Sequence, residues 1–150
     1  MKYLLLILNI VIPGLIYANQ SEIIFEGQGK AEINGFTFKN NSKFQLFKSK
    51  GYWKSSAGDF GINECLGTLS EDKDNKKGYN VYCKNISQND DYFIMKFFRE
   101  STYDGGGIGK ALIIETSDNY KHYLNLECTH AITYKELDYF GIQKCKLENN

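Results

Sequence analysis

The most informative part of the chain is residues 127–146, ECTHAITYKELDYFGIQKCK. If this segment forms two antiparallel strands that turn at its midpoint, Cys128 lies directly opposite Cys145. The same register places Glu127 opposite Lys146 on the other face of the ribbon. Facing pairs of this kind stabilise a hairpin and set its register. The segment therefore predicts a β-hairpin with a disulfide across it.

A second hairpin with the same pattern is predicted earlier in the chain, over residues 64–84. A turn near its midpoint places Cys65 opposite Cys83 and Glu64 opposite Lys84. Two ribbons that share one facing cysteine pair and one facing glutamate–lysine pair indicate a protein built from hairpins.

The chain has four cysteines, which allow three disulfide pairings. Only the pairing Cys65–Cys83 with Cys128–Cys145 makes both glutamate–lysine pairs coincide with facing cysteines, so we predict these two bridges. Each bridge would stabilise the fold by roughly 3 kcal/mol. A zinc site made by all four cysteines is disfavoured, because the chain contains no C-x-x-C pair.

Residues 1–18, MKYLLLILNIVIPGLIYA, have the features of a secretory signal peptide. Lys2 provides the positive charge, residues 4–12 form an apolar run, and Ala18 is a small residue at the expected cleavage position. The run is shorter than the roughly 20 residues that span a bilayer, so we expect no stable membrane insertion after cleavage. The expected mature chain is a single domain, residues 19–150, in the periplasm or outside the cell, where disulfides form.

The charges of the chain balance, with 18 Lys and Arg against 18 Asp and Glu. Proteins that bind nucleic acid or anionic membranes carry a basic patch or a basic excess. The composition therefore argues against a nucleic-acid partner.

Short alternating segments separated by Gly, Asn and Asp clusters make up the rest of the chain, and no segment keeps a helical period over three turns. About eight strands are predicted: residues 22–34, continuing past a bulge at Gly35, then 43–54, 62–70, 78–86, 92–101, 109–116, 120–133 and the last arm of the final hairpin. A long meander of hairpins favours an all-β, antiparallel up-and-down barrel, because closure removes exposed edges. A β-sandwich is the second choice.

A glycine run at residues 105–107 precedes Gly109 and Lys110. It is not a Walker loop, because Ala111 stands where that motif requires Ser or Thr. It is not a dinucleotide fingerprint either, because Lys110 stands at the position of the last glycine. A hairpin turn that leads into a strand is the favoured interpretation.

From Asp104 to Thr133, a glycine-rich turn is followed by an apolar strand and another turn. This arrangement resembles the small, calycin-like, eight-stranded barrels of the allene oxide cyclase and dirigent type. The resemblance implies a closed barrel whose lumen holds a small, mostly apolar molecule. It implies no catalytic residue, because no catalytic motif is matched.

His122 and His130 have the same parity as Leu124 and Leu126 in the predicted strand, so we expect all four on the face that carries the second disulfide. In the hairpin register His130 lies opposite Gln143. The pair is either a core histidine satisfied by a neighbouring amide or a polar anchor inside a ligand-holding barrel. In the second case the ligand-binding residues are His130, Gln143, Leu124 and Leu126.

No catalytic residue, cofactor or metal site is predicted. No serine stands in a G-x-S-x-G elbow, and all cysteines are expected to be oxidised. Among the aromatic residues expected on an outer face, Tyr82 and Tyr123 are candidates for a platform that binds sugar or peptide.

The leading functional hypothesis is a secreted or periplasmic, non-catalytic barrel that binds a small apolar ligand or a protein partner. One alternative is a barrel isomerase or cyclase that acts on an apolar substrate in the lumen. Another is a surface protein-interaction module with a filled core. An enclosed cavity with a buried ionisable group would favour the enzyme, and a filled barrel with exposed aromatic side chains would favour the interaction module.

Overall fold

Eight antiparallel strands close into a barrel in the computed structural model, which describes residues 22–74, 76–99 and 106–147. The strands are β1 (Glu22–Thr37), β2 (Lys43–Ser55), β3 (Phe60–Glu71), β4 (Lys77–Ser87), β5 (Tyr92–Arg99), β6 (Gly106–Thr116), β7 (Glu127–Lys135) and β8 (Asp138–Lys146). A 3-10 helix, Asp118–Tyr123, connects β6 to β7. Each strand pairs with the next along the chain, and β8 pairs with β1. The predicted all-β up-and-down barrel is confirmed.

The predicted signal peptide, residues 1–18, lies outside the described residues. Within the described ranges, no helix is long and apolar enough to cross a membrane.

Both cysteine-bearing hairpins have the predicted register. Cys65 faces Cys83 between β3 and β4, and Cys128 faces Cys145 between β7 and β8. Both pairs are disulfides, and their side chains are buried in the lumen. The two bridges indicate that the protein folds in an oxidising compartment.

Side chains along each strand alternate between the lumen and the solvent, as the pleat requires. Large aromatic side chains fill the lumen: Phe25, Phe47, Trp53, Tyr79, Phe93, Phe97 and Tyr139 are all buried. They pack against one another, and the ring centroids of Phe25 and Phe93 lie 5.0 Å apart. The interior of the barrel is therefore a packed core.

The bulge predicted at Gly35 is wrong, because β1 keeps one register with β2 from end to end. The apolar pattern changes there because β1 leaves the barrel wall. Its pairing with β8 ends at Lys30, and beyond that point Phe36 is 63% exposed. The sheet does contain a register shift, which lies between β5 and β6 at Ile94 and Met95.

The strand predicted from Tyr120 is wrong at its start, because residues 118–123 form the 3-10 helix and β7 begins only after it. The 3-10 geometry has three residues per turn. With that spacing Tyr120 and Tyr123 are both buried at one end of the barrel, so Tyr123 is not an outer-face platform. Leu126, which follows the helix, is buried there as well. Leu124, which a strand would have turned inward, is 39% exposed.

Candidate functional site

His130 and Gln143 face each other in the lumen, as the hairpin register predicts. Both are buried, with 3% and 8% of their surface exposed, and Gln143 Nε2 lies 3.2 Å from His130 Nδ1. The ring of Phe97 packs against the imidazole, with centroids 4.7 Å apart. The facing pair is confirmed, and its role as a ligand anchor stays a prediction.

A second polar pair crosses the lumen between β8 and β3. The Tyr139 hydroxyl donates to Asn63 Oδ1 over 2.9 Å. Burial raises the pKa of Tyr139, and the neighbouring Asn63 and Ser49 side chains partly offset that rise. The phenol therefore stays protonated at neutral pH and serves as a hydrogen-bond donor.

The space left between these polar groups is small. The internal cavity has a volume of about 40 Å³, and the polar residues that line it are Ser49, Asn63, Asn85, His130, Tyr139 and Gln143. A cavity that binds benzene measures about 150 Å³, whereas a single water needs only about 10–15 Å³. The lumen in this conformation has room for water and is too small for an apolar ligand.

Of the four predicted ligand-binding residues, His130 and Gln143 line this cavity, whereas Leu124 and Leu126 do not. Leu126 is buried at the end of the barrel, and Leu124 faces solvent, because the 3-10 helix replaces the predicted strand there. Of the predicted ligand-binding residues, the structure thus brings together only His130 and Gln143, the facing pair of the last hairpin.

A larger depression, which we call the outer groove, lies on the outside of the barrel where β2, β1, β8 and β7 run side by side. It has a volume of about 670 Å³ and is open to solvent. Tyr52 and Phe140 project from its wall, with 67% and 55% of their surface exposed. Gln28 on β1 pairs with Tyr52 on one side and with Phe140 on the other, so an exposed amide stands between the two rings.

The floor of the outer groove is thin. Gly27 and Gly141 face each other across β1 and β8, and both border the outer groove and the internal cavity. A Cβ atom at Gly141 would lie 3.2 Å from Gln143 Nε2, and one at Gly27 would lie 3.5 Å from Asn63 Nδ2. Glycine at position 141 therefore makes room for the Gln143 amide, and glycine at both positions leaves only backbone between the two spaces.

Charged side chains stand on the polar side of the outer groove. Lys54 Nζ lies 2.8 Å from a carboxylate oxygen of Glu26, and both residues line the groove. Further along the same face, Lys50 and Glu64 form an ion pair whose hydrogen bond raises the pKa of Lys50 and lowers that of Glu64. These exposed pairs balance each other, so the groove has no strong net charge.

The sequence does not predict the outer groove, because Tyr52 and Phe140 lie on β2 and β8, far apart in the chain. They flank Gln28 only after β8 closes onto β1. Parity is the one available signal, since Trp53 is buried and its neighbour Tyr52 must then face out. Tyr82, the other predicted platform residue, is 40% exposed on β4 and lies outside the groove.

In the part of the chain that the structure describes, no group of three or more His, Cys, Asp or Glu side chains is arranged to hold a metal ion. Comparison of the chain with protein-family models, with curated proteins and with solved structures finds no match.

Proposed function

We propose that the protein is an exported, non-catalytic barrel that binds a small, mostly apolar ligand in the outer groove. One observation carries the proposal: the lumen offers about 40 Å³ of space, whereas the outer groove offers about 670 Å³ beside two exposed aromatic rings. Ligand sites are typically about 300–1,000 Å³ in volume, mostly apolar, with a few polar groups that set orientation.

The lining of the outer groove indicates the chemistry of this ligand. Tyr52, Phe140 and Ile142 offer apolar surface, and the Gln28 amide between the rings offers one donor and one acceptor group. A flat apolar body with a hydrogen-bonding group fits this combination. Its apolar area would supply affinity, and Gln28 would orient it.

Export is part of the proposal. It is supported by the signal-peptide features of residues 1–18 and by the two disulfides, which require an oxidising compartment. The protein would then work in the periplasm or outside the cell. The kinship with barrels of the allene oxide cyclase and dirigent type is proposed for shape alone, because the lumen here is filled.

The alternative of an isomerase or cyclase acting in the lumen requires space for an apolar substrate among the packed rings. Such a substrate is several times larger than the 40 Å³ cavity. The other alternative, a surface interaction module with a filled core, is favoured by the exposed aromatic cluster on β1 and β2 that is described below.

Fluorescence titration with the neutral apolar probe N-phenyl-1-naphthylamine tests the outer groove. Tyr52→Ala and Phe140→Ala should each weaken binding about tenfold, the equivalent of about 1.4 kcal/mol. Leu66→Ala is the matched control, because Leu66 is 63% exposed on the outer face of β3 but lies outside the groove.

The same titration separates the outer groove from the lumen. The double variant His130→Leu with Gln143→Leu should bind the probe as the wild type does. If that variant loses binding while Tyr52→Ala and Phe140→Ala retain it, the ligand lies in the lumen and the proposal is wrong. Absence of binding by the wild type would also reject it.

A further inference from the structure

β1 is longer than the strand that closes the barrel against it. Its pairing with β8 ends at Lys30, opposite Asp138, and the backbone N–H of Ala31 donates to the Leu137 carbonyl over 2.8 Å. Beyond Ala31, β1 continues to Thr37 and pairs only with β2 among the described residues. The edge of residues 32–37 that points away from β2 therefore faces solvent in the described structure. We call it the open edge.

The hydrogen-bond pattern shows which backbone groups point to this open edge. The N–H of Phe38 donates to the Ser42 carbonyl over 2.8 Å, and the N–H of Ala31 points to the β8 side. Groups on an antiparallel strand alternate between its two neighbours. The N–H and C=O of Ile33, Gly35 and Thr37 consequently point away from β2, toward the open edge.

The open edge lacks the usual protection against strand pairing. Exposed edges in natural proteins carry lysine, proline, a bulge or an inward-pointing charge. Charges stand only at the two ends of the segment, at Glu32 and at Lys39 just beyond it; residues 33–37, Ile-Asn-Gly-Phe-Thr, contain no charge and no proline, and the β1–β2 register is unbroken there. An extended backbone could pair with this edge without obstruction.

An aromatic cluster flanks the open edge on the outer face. Phe36, Phe38 and Phe44 are 63%, 50% and 38% exposed. The ring of Phe36 lies 5.5 Å from that of Phe38 and 6.2 Å from that of Phe44, centroid to centroid. Strand addition derives its affinity from main-chain hydrogen bonds and its specificity from contacts of alternate side chains; the aromatic cluster offers surface for such contacts.

We propose that the open edge is the interface between two copies of the chain, paired antiparallel about a twofold axis at Phe36. The occupant must be an extended strand with its own unpaired edge, and in the described residues the segment 32–37 is itself such a strand. Two copies would thus satisfy each other's groups in a self-complementary interface, the commonest symmetry of homodimers.

The register centred on Phe36 is favoured by side-chain pairing. Phe36 hydrogen-bonds to β2, so across the new interface it would form a non-hydrogen-bonded pair, in which facing side chains approach most closely. Its partner there is Phe36 of the partner subunit, and aromatic pairs at such positions stabilise a sheet. Asn34 would face Phe38 of the partner subunit, so no like charges oppose each other.

Sedimentation velocity of the mature protein tests this interface, with concentrations from about 1 μM to about 500 μM to cover weak association. We expect a monomer–dimer equilibrium. Phe36→Lys places like charges on the axis and should raise the dimer dissociation constant at least tenfold. Leu66→Lys is the matched control, since Leu66 and Phe36 are both 63% exposed, and it should leave the equilibrium unchanged.

Two further variants protect the test against misfolding. An equal mixture of Phe36→Lys and Phe36→Glu should restore the dimer, which unfolded variants could not do. Thr37→Pro removes the donor that would bond to Gly35 of the partner subunit without removing a bond to β2, and it should also dissociate the dimer.

A wild type that stays monomeric at the highest concentration overturns the proposal, as does a dimer that survives Phe36→Lys. Loss of the dimer in Tyr52→Ala with retention in Phe36→Lys would assign the interface to the outer groove instead. Because the open edge and the outer groove use different residues, failure of one proposal is distinguishable from failure of the other.

Discussion

Several of the polar side chains buried in this barrel are hydrogen-bonded to a neighbouring side chain or carbonyl. Gln143 lies against His130, and the Tyr139 hydroxyl donates to Asn63. The amide of Asn85 donates to the Cys83 carbonyl over 3.2 Å. A buried polar group that loses its hydrogen bond destabilises a protein by about 1–3 kcal/mol, whereas removing both partners together is nearly neutral. These pairs therefore set the geometry of the core more than its stability.

The His130–Gln143 pair predicts a strongly non-additive result. Gln143→Leu alone should lower the free energy of unfolding by about 1–3 kcal/mol, because His130 loses a buried hydrogen bond. The double variant His130→Leu with Gln143→Leu should be close to wild type or more stable. Urea unfolding of the single and double variants gives the coupling energy directly. Additive effects would show that the two side chains do not depend on each other.

Buried tyrosines predict a loss of stability at alkaline pH. Burial raises the pKa of Tyr139, Tyr123 and Tyr120 above the ordinary value of about 10. Because the folded state holds these protons more tightly, the stabilisation is complete below about pH 10 and is lost as the pH rises through the folded pKa values. Urea midpoints should therefore fall above about pH 10. An unchanged midpoint at higher pH would contradict the raised pKa values.

β1 and β2 curve into the barrel wall with the help of glycine. Gly29 pairs with Gly51, and a Cβ atom at Gly51 would collide with the Gln28 carbonyl and lie 2.5 Å from the Tyr139 hydroxyl. Glycine kinks of this kind let a sheet coil and close. The position also provides the room that Tyr139 needs to reach Asn63.

Gly51→Ala should therefore be strongly destabilising. Its methyl group meets backbone that cannot move freely, and overpacking of this kind lowers stability by about 1–3 kcal/mol or more. Gly27→Ala, one strand away, is the matched control, because its nearest contact would be an ordinary 3.5 Å to Asn63 Nδ2. Thermal or urea unfolding should separate the two variants clearly. Equal stability would mean that the wall at Gly51 can relax.

On the scale of the whole molecule, the two disulfides tie together hairpins at different positions in the barrel. One joins β3 to β4 and the other joins β7 to β8, across separations of 18 and 17 residues. Neither bridge spans the closing contact between β1 and β8, where strand pairing and the Lys30–Asp138 ion pair join the two strands. The bridges stabilise local ribbons, and core packing joins those ribbons into one barrel.

Removal of either bridge should lower stability without changing the barrel. A closed loop of about 15 residues contributes about 3 kcal/mol through the unfolded state. Cys65→Ala with Cys83→Ala, and Cys128→Ala with Cys145→Ala, should each lower the free energy of unfolding by about 2–5 kcal/mol. Far-ultraviolet circular dichroism should remain that of a β protein. A variant that keeps wild-type stability would show that the bridge it lacks contributes nothing to the free energy of unfolding.

The features that could be predicted from the sequence are the local ones. Facing residues in a hairpin sit at equal distances from its turn, so Cys65–Cys83, Cys128–Cys145 and His130–Gln143 follow from spacing alone. Period-two alternation then gives most strands, and their unbroken meander favours closure. Alternation could not distinguish the 3-10 helix from a strand. Over so short a segment, a three-residue spacing of buried side chains differs from the two-residue spacing of a strand by a single position.

Properties that depend on residues far apart in the chain could be identified only from the folded barrel. Closure of β8 onto β1 brings Phe140 beside Gln28 and Tyr52 and creates the outer groove. Ring packing across the lumen reduces its cavity to about 40 Å³ and removes the space that the predicted ligand site needed. The unequal lengths of the β1–β2 and β1–β8 pairings leave the open edge. Spacing about a turn encodes pairs within one hairpin, whereas strand stagger and side-chain volume are settled only when all eight strands meet.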